Sequence, residues 1–179
     1  MLKTTTLHLP GDPEPVVLTE LPALVADRHA RAVLAAAGMP TTGGIVALAL
    51  EHLPRILADA AHAVELLEPF VRASRPVRRW SQVLTVQQAA LALHVGFLVG
   101  RPQLQVPVRM QAENIKRAGA DVSVSFCSAP IATVLHSGRA SYTELETVLS
   151  TEDVFNIVEL LNVEAIQEWH AYQSAENPR

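Results

Sequence analysis

The segment STEDVFNIVELLNVEAIQEWHAYQS, residues 150–174, is the clearest indicator of the fold. Ser150 is a good N-cap, and acidic residues follow in the first turn, where the positive end of a helix dipole favours them. Apolar side chains then recur at helical spacing along one face. The segment therefore predicts a long amphipathic helix. Its apolar stripe comprises Val154, Ile157, Val158, Leu161, Ala165, Trp169 and Tyr172.

The polar side of this predicted helix is acidic. Two interpretations stay open: a core helix with a solvated acidic face, or a helix that lends part of its stripe to another chain. Under the second interpretation the candidate contact residues come from both faces. They are Val154, Ile157, Leu161, Trp169, Tyr172, Glu159, Glu164 and Glu168.

The first forty residues predict a small β-hairpin followed by a helix. Residues 4–9 begin with β-branched side chains, residues 10–15 are dense in proline and other turn formers, and an apolar strand follows at 16–18. Thr19 is predicted to cap the helix, which ends at Gly38.

Helical patterns continue through most of the remaining chain. Residues 42–72 are helical in composition, with breaks expected at the two prolines they contain, and Thr85 has the form of a capping box that opens a further helix. Ser141 begins a second capping box. Residues 128–137 are ambiguous. The remaining predictions are extended segments at 103–108 and 121–126 and a short helix at 109–118.

Composition agrees with closely packed helices. Hydrophobic residues make up 49% of the 179 residues but aromatic residues only 4%, so Ala, Leu and Val must build the core. We predict a mainly α fold: a helical domain with a small N-terminal β-hairpin. Its expected divisions are 1–72, a basic linker at 73–84 and a helical region at 85–179, with one single domain over 1–179 as the open alternative.

Charge is distributed unevenly. Residues 69–112 carry six arginines and no acid, whereas residues 113–179 carry a net charge of −6. Either these regions face each other within the fold or are simply solvated, or they form patches for charged partners. Arg75, Arg78 and Arg79 are the candidate contacts of the basic run. The acidic whole and the lack of a nucleic-acid module weigh against nucleic acid as its partner.

The sequence contains no recognisable catalytic, cofactor or metal motif. Phosphate-binding loops and His-Glu-x-x-His are absent, and His62, Glu65 and Glu68 form only one run of possible ligands. We therefore expect no cofactor, no metal and no enzymatic activity. The rival interpretation is an enzyme with Cys127 as nucleophile and His136 as its base, although the flanking residues supply no positive charge to activate the thiol.

Location can be inferred only coarsely. The single cysteine fits a reducing cytoplasm, the first residues are too polar for a signal peptide, and no apolar stretch approaches the roughly 20 residues that span a bilayer. We expect a cytoplasmic protein that does not enter the membrane.

Two stretches, residues 16–31 and 150–163, resemble tailed-bacteriophage tail assembly chaperones. In the first, a strand leads through Leu21-Pro22 into a helix; the second resembles a helix near the end of these chaperones. Residues 73–140 have no counterpart in that pattern.

The resemblance implies a mostly helical, non-enzymatic viral protein of the host cell cytoplasm. Such chaperones bind the tape measure protein and the tail tube subunit, prevent their premature aggregation, and are absent from the finished virion. The alternatives are a structural tail component of the terminator or connector type and an accessory protein that binds a host factor. Self-association is compatible with all of these functions.

Overall fold

A computed structural model describes residues 2–77, 79–102, 104–108, 110 and 124–176. Within these residues the chain is mainly α-helical with one two-stranded antiparallel sheet, which confirms the predicted fold class. The sheet is the expected N-terminal hairpin. Strand β1 (Thr4–Leu7) pairs with β2 (Val16–Thr19), in a register that places Thr4 opposite Thr19 and Leu7 opposite Val16.

Five α-helices follow the hairpin before the chain reaches residue 100. They are α1 (Ala23–Ala36), α2 (Gly44–Ala47), α3 (Leu53–Leu57), α4 (Ala60–Leu67) and α5 (Trp80–Val95). Three further helices lie in the last described stretch. They are α6 (Ala129–Ser137), α7 (Tyr142–Thr147) and α8 (Thr151–Glu176). The ambiguous segment 128–137 is thus helical. Except for residue 110, the predicted helix at 109–118 lies outside the described residues, as do residues 121–123 of the predicted extended segment at 121–126. Residues 124–126 are described and form no β-strand.

Helix α1 ends as predicted but begins later than predicted. Gly38 adopts a φ of +67°, and Met39 N–H donates to the Leu34 carbonyl at 2.8 Å, which closes the helix end. The predicted cap at Thr19 is wrong. Thr19 is the last residue of β2, its N–H donates to the Arg72 carbonyl at 2.9 Å, and Pro22 holds the N-cap position. The backbone of Thr19 is therefore already committed to strand pairing.

Each of the two prolines was expected to break or kink the helix: Pro69 lies where α4 ends, whereas at Pro54 the helical backbone continues with a local distortion. Helix α2 passes through one turn of π-helix, Leu48–His52, before Pro54 occupies the first turn of α3. Pro69 lies in a short 3₁₀ turn, Glu68–Phe70, that ends α4. Both prolines stand where a missing N–H disturbs the helix least.

The predicted cap at Thr85 is wrong, because α5 begins five residues earlier at Trp80. Only residues 73–79 of the predicted linker 73–84 therefore precede the helix. The two later caps are confirmed. Ser141 and Glu144 form a reciprocal capping box, and Asp153 accepts from Ser150 N–H at 2.9 Å while Ser150 Oγ accepts from Asp153 N–H.

Two hydrophobic clusters form the core, and α1 contributes to both. One face of α1, including Ala30 and Leu34, packs with the hairpin and α2–α5. Its first turn, through Ala23 and Leu24, packs with α6, α7 and the start of α8. Helix α1 therefore contributes side chains to both hydrophobic clusters.

Gly44 provides a sharp test of this packing. Its φ is +53°, and a Cβ atom there would lie 2.0 Å from Asp27 Oδ1. Gly138 has a similar φ of +69° with open space around it. We expect Gly138→Ala to lower the free energy of unfolding by about 1–2 kcal/mol, since only backbone strain is added.

We expect Gly44→Ala to cost at least about 2 kcal/mol more than Gly138→Ala, because steric overlap adds to the strain. Urea unfolding of both variants measures the difference. Equal losses would show that Asp27 does not pack against Gly44.

Candidate functional site

The apolar stripe of α8 has different surroundings along its length. Val154 is fully buried, and Ile157 packs against the cluster formed with α6 and α7. Leu161 and Trp169 are half-buried, and Tyr172 is 60% exposed. The first two turns of the stripe are thus part of the core, and exposure increases toward the end of the helix.

The acidic side chains of α8 mostly pair within the fold. Glu159 accepts from Arg101, and both carboxylate oxygens of Glu164 accept from Arg139 at 2.7 Å. Glu168 is exposed. The negative face predicted from the sequence is therefore largely neutralised by arginines of the same chain.

The arginines of the basic run hold the hairpin loop. Arg75 forms an ion pair with Asp12 at 3.0 Å and donates to the Pro15 carbonyl at 3.3 Å. Arg79 donates to the carbonyls of Pro10 and Gly11 at 3.1 and 3.0 Å. Arg78 lies outside the described residues. The two described arginines thus fix the loop of the β-hairpin against the segment that leads into α5.

An aromatic contact seats α8 against the end of α5. The rings of Phe97 and Phe155 lie 5.4 Å apart. Lys3 Nζ and the Arg101 guanidinium lie 5.0 and 5.6 Å from the centre of the Phe97 ring, a distance at which cations are attracted to its face. Arg101 also pairs with Glu159, so the same arginine contacts both α8 and the 3₁₀ turn, Gly96–Leu98, that follows α5.

Beside this contact lies an open cavity of about 570 Å³, which we call the α8 groove. Its walls are mostly apolar and come from three parts of the chain. The lining includes Leu50, Leu98, Leu104, Phe155, Val158 and Asn162. Leu50 is 54% exposed and the adjacent Val99 is 83% exposed. Among the predicted contact residues that the structure describes, only Glu159 lines this groove.

A second, smaller pocket of about 270 Å³ lies on the other side of Phe155, and we call it the Asp27 pocket. Asp27 is 1% exposed, and its Oδ2 accepts from Ser128 N–H at 3.1 Å, at the start of α6. Burial raises the pKa of Asp27, against the opposing effect of this hydrogen bond. Asp27 was not among the residues predicted from the sequence, and its position among apolar residues of α1 was the available signal.

Cys127 is buried next to this pocket. Burial raises the pKa of its thiol, and the nearby Asp27 raises it further. A cysteine nucleophile requires the opposite shift, because the thiolate is the reactive form.

A buried contact between a glutamate and a histidine was also not predicted from the sequence. Glu20 Oε1 lies 3.5 Å from His94 Nδ1, and both side chains are almost completely inaccessible. Glu20 Oε2 accepts from the backbone N–H of Lys3 at 3.1 Å. These contacts join the base of the hairpin to α5, and they link residues too far apart for sequence spacing to reveal.

The part of the chain that the structure describes contains no group of three His, Cys, Asp or Glu side chains able to hold a metal ion. No described helix is both long and apolar enough to cross a bilayer.

The raised pKa of Asp27 predicts a pH dependence of stability. The folded carboxyl keeps its proton above the ordinary value of 3.8, so its stabilising contribution is present below that pH and is lost as the pH rises through the folded pKa. As the pH rises from 3.8 through the folded pKa of Asp27, we expect the free energy of unfolding of the wild type to fall relative to that of Asp27→Asn. Urea unfolding at a series of pH values measures it, and a constant difference would contradict the prediction.

No family model, curated protein or solved structure matches this chain.

Proposed function

We propose that this chain is a non-enzymatic protein-binding module whose α8 groove holds an apolar segment of a helical partner. The observation that carries the proposal is the groove itself, an open channel with leucine, valine and phenylalanine in its walls. Because residues 16–31 and 150–163 resemble tail assembly chaperones of tailed bacteriophages, we propose that the module acts as such a chaperone. Its partners are then the tape measure protein, the tail tube subunit or both, in the host cell cytoplasm.

The groove suits an amphipathic helix as occupant. Apolar anchors of such a helix, spaced three or four residues apart, would cover Leu50, Leu104 and Val158 and remove their exposed surface from water. Each square ångström of apolar surface buried contributes about 25 cal/mol. Arg101 and Asn162 lie at the same groove and provide polar groups for the rim of the interface.

This chemistry matches the task of an assembly chaperone. A long helical protein made before its assembly partner exposes apolar faces that aggregate. A groove that covers one such face reversibly would keep the partner in solution until the tail tube forms. The internal pairing of Glu159 and Glu164 supports an interface whose attraction is mainly apolar.

Partner binding should depend on the groove leucines and not on other exposed leucines. We expect Leu50→Asp together with Leu104→Asp to reduce recovery of the tape measure or tube protein at least about tenfold, because a buried unpaired carboxylate opposes binding. The measurement is a pull-down from cells that express the whole gene neighbourhood, read by mass spectrometry.

Leu160→Asp is the matched control, since Leu160 is 63% exposed on α8 and does not line the groove. It should retain the partner. Equal recovery with all variants would exclude the groove as the binding site. Recovery of the protein alone, or its presence in purified mature virions, would overturn the chaperone proposal and favour self-association or a structural tail component.

A further inference from the structure

The Asp27 pocket is enclosed by four helices that come from distant parts of the chain. Its walls include Ile45 of α2, Ile131 of α6 and Phe155 of α8, which make most of the surface aliphatic or aromatic. Thr42 and Ala129 are exposed at its rim, whereas Asp27 is buried within it. The pocket is thus accessible from outside and apolar inside.

Two side chains in this wall have oxygens without a hydrogen-bond partner among the described residues. Asp27 uses Oδ2 to accept from Ser128, but Oδ1 has no donor. Thr151 is 4% exposed, and its Oγ1 has no partner either. Buried polar atoms are nearly always paired in folded proteins, so two orphaned oxygens at one pocket indicate a missing donor.

A positive donor fits these oxygens better than a neutral one. Arg31, one turn after Asp27, directs its guanidinium to the Ser125 carbonyl, and the described ion pairs do not include Asp27. Burial raises the pKa of Asp27, whereas the hydrogen bonds of Ser128 and the positive charge of Arg31 lower it without reversing the shift. A cationic ligand with N–H groups would give Asp27 a partner for an ion pair and would give the unpaired oxygens hydrogen-bond donors.

We propose that the Asp27 pocket binds a small organic amine, with its ammonium group on Asp27 and Thr151 and its apolar body against Ile45, Ile131 and Phe155. The available volume sets the size of the body. A cavity of about 150 Å³ accommodates benzene, so a pocket of about 270 Å³ accommodates an amine of the size of benzylamine. This site is separate from the α8 groove, and the inference does not depend on the proposed chaperone function.

The test uses benzylamine as the probe and benzyl alcohol as its neutral isostere, with the full chain in ¹H–¹⁵N NMR titrations. We expect benzylamine to bind with a dissociation constant of about 1 mM or lower. We expect benzyl alcohol to bind at least about tenfold more weakly, because it brings no positive charge to pair with the Asp27 carboxylate.

Two variants address the site itself. Asp27→Asn keeps an acceptor for Ser128 N–H but removes the charge, and it should weaken benzylamine at least about tenfold. Ala129→Phe should block the mouth and abolish binding, whereas His136→Phe, exposed on the same helix and away from the pocket, should leave it unchanged. Absence of benzylamine binding, equal affinity for the alcohol, or unchanged affinity in Asp27→Asn would each overturn the proposal.

Discussion

One long-range hydrogen bond, from Ser128 N–H to the buried Asp27 carboxyl group, ties the last third of the described chain to α1. It joins residues 101 positions apart and fixes the start of α6 on α1. Burying a carboxyl group is costly, and the hydrogen bond from Ser128 offsets part of that cost. Gly44 lies close to this carboxyl group, since any side chain there would meet Asp27 Oδ1. Helix α1 can therefore serve both core clusters at once.

Charge has a structural use throughout the chain. The arginines of the basic run bind carbonyls and an acid of the hairpin loop, and Arg28, Arg101 and Arg139 pair with Glu146, Glu159 and Glu164. Exposed pairs of this kind contribute little stability individually, but they specify which elements lie side by side. Two arginines of the basic region, Arg75 and Arg101, thus meet acids of the two acidic regions within the fold. Apolar contacts carry the proposed partner interface.

Local signals in the sequence predicted local structure well. The proline-rich turn, Gly38 and the capping box at Ser141 act through neighbouring backbone groups, and each lies where the pattern placed it. The predicted helix caps at Thr19 and Thr85 were wrong because longer-range contacts compete with local capping. Thr19 pairs with β1 in the sheet. Helix α5 begins at Trp80, directly after Arg79, which donates to the hairpin loop. The α8 groove and the Asp27 pocket were not predictable, because their walls come from segments that only the tertiary fold brings together.

Phe155 connects the two sites physically. Its side chain lines the α8 groove and the Asp27 pocket, and its ring packs on Phe97 at the end of α5. The seating of α8 therefore sets the shape of both spaces, although their chemistry differs. The groove is open and walled by exposed aliphatic side chains, which suits the extended surface of a protein. The pocket is narrow and contains a buried acid, which suits one small polar group with a compact apolar body. The two proposed sites can thus coexist on one helix, because Phe155 is the one lining residue common to both cavities.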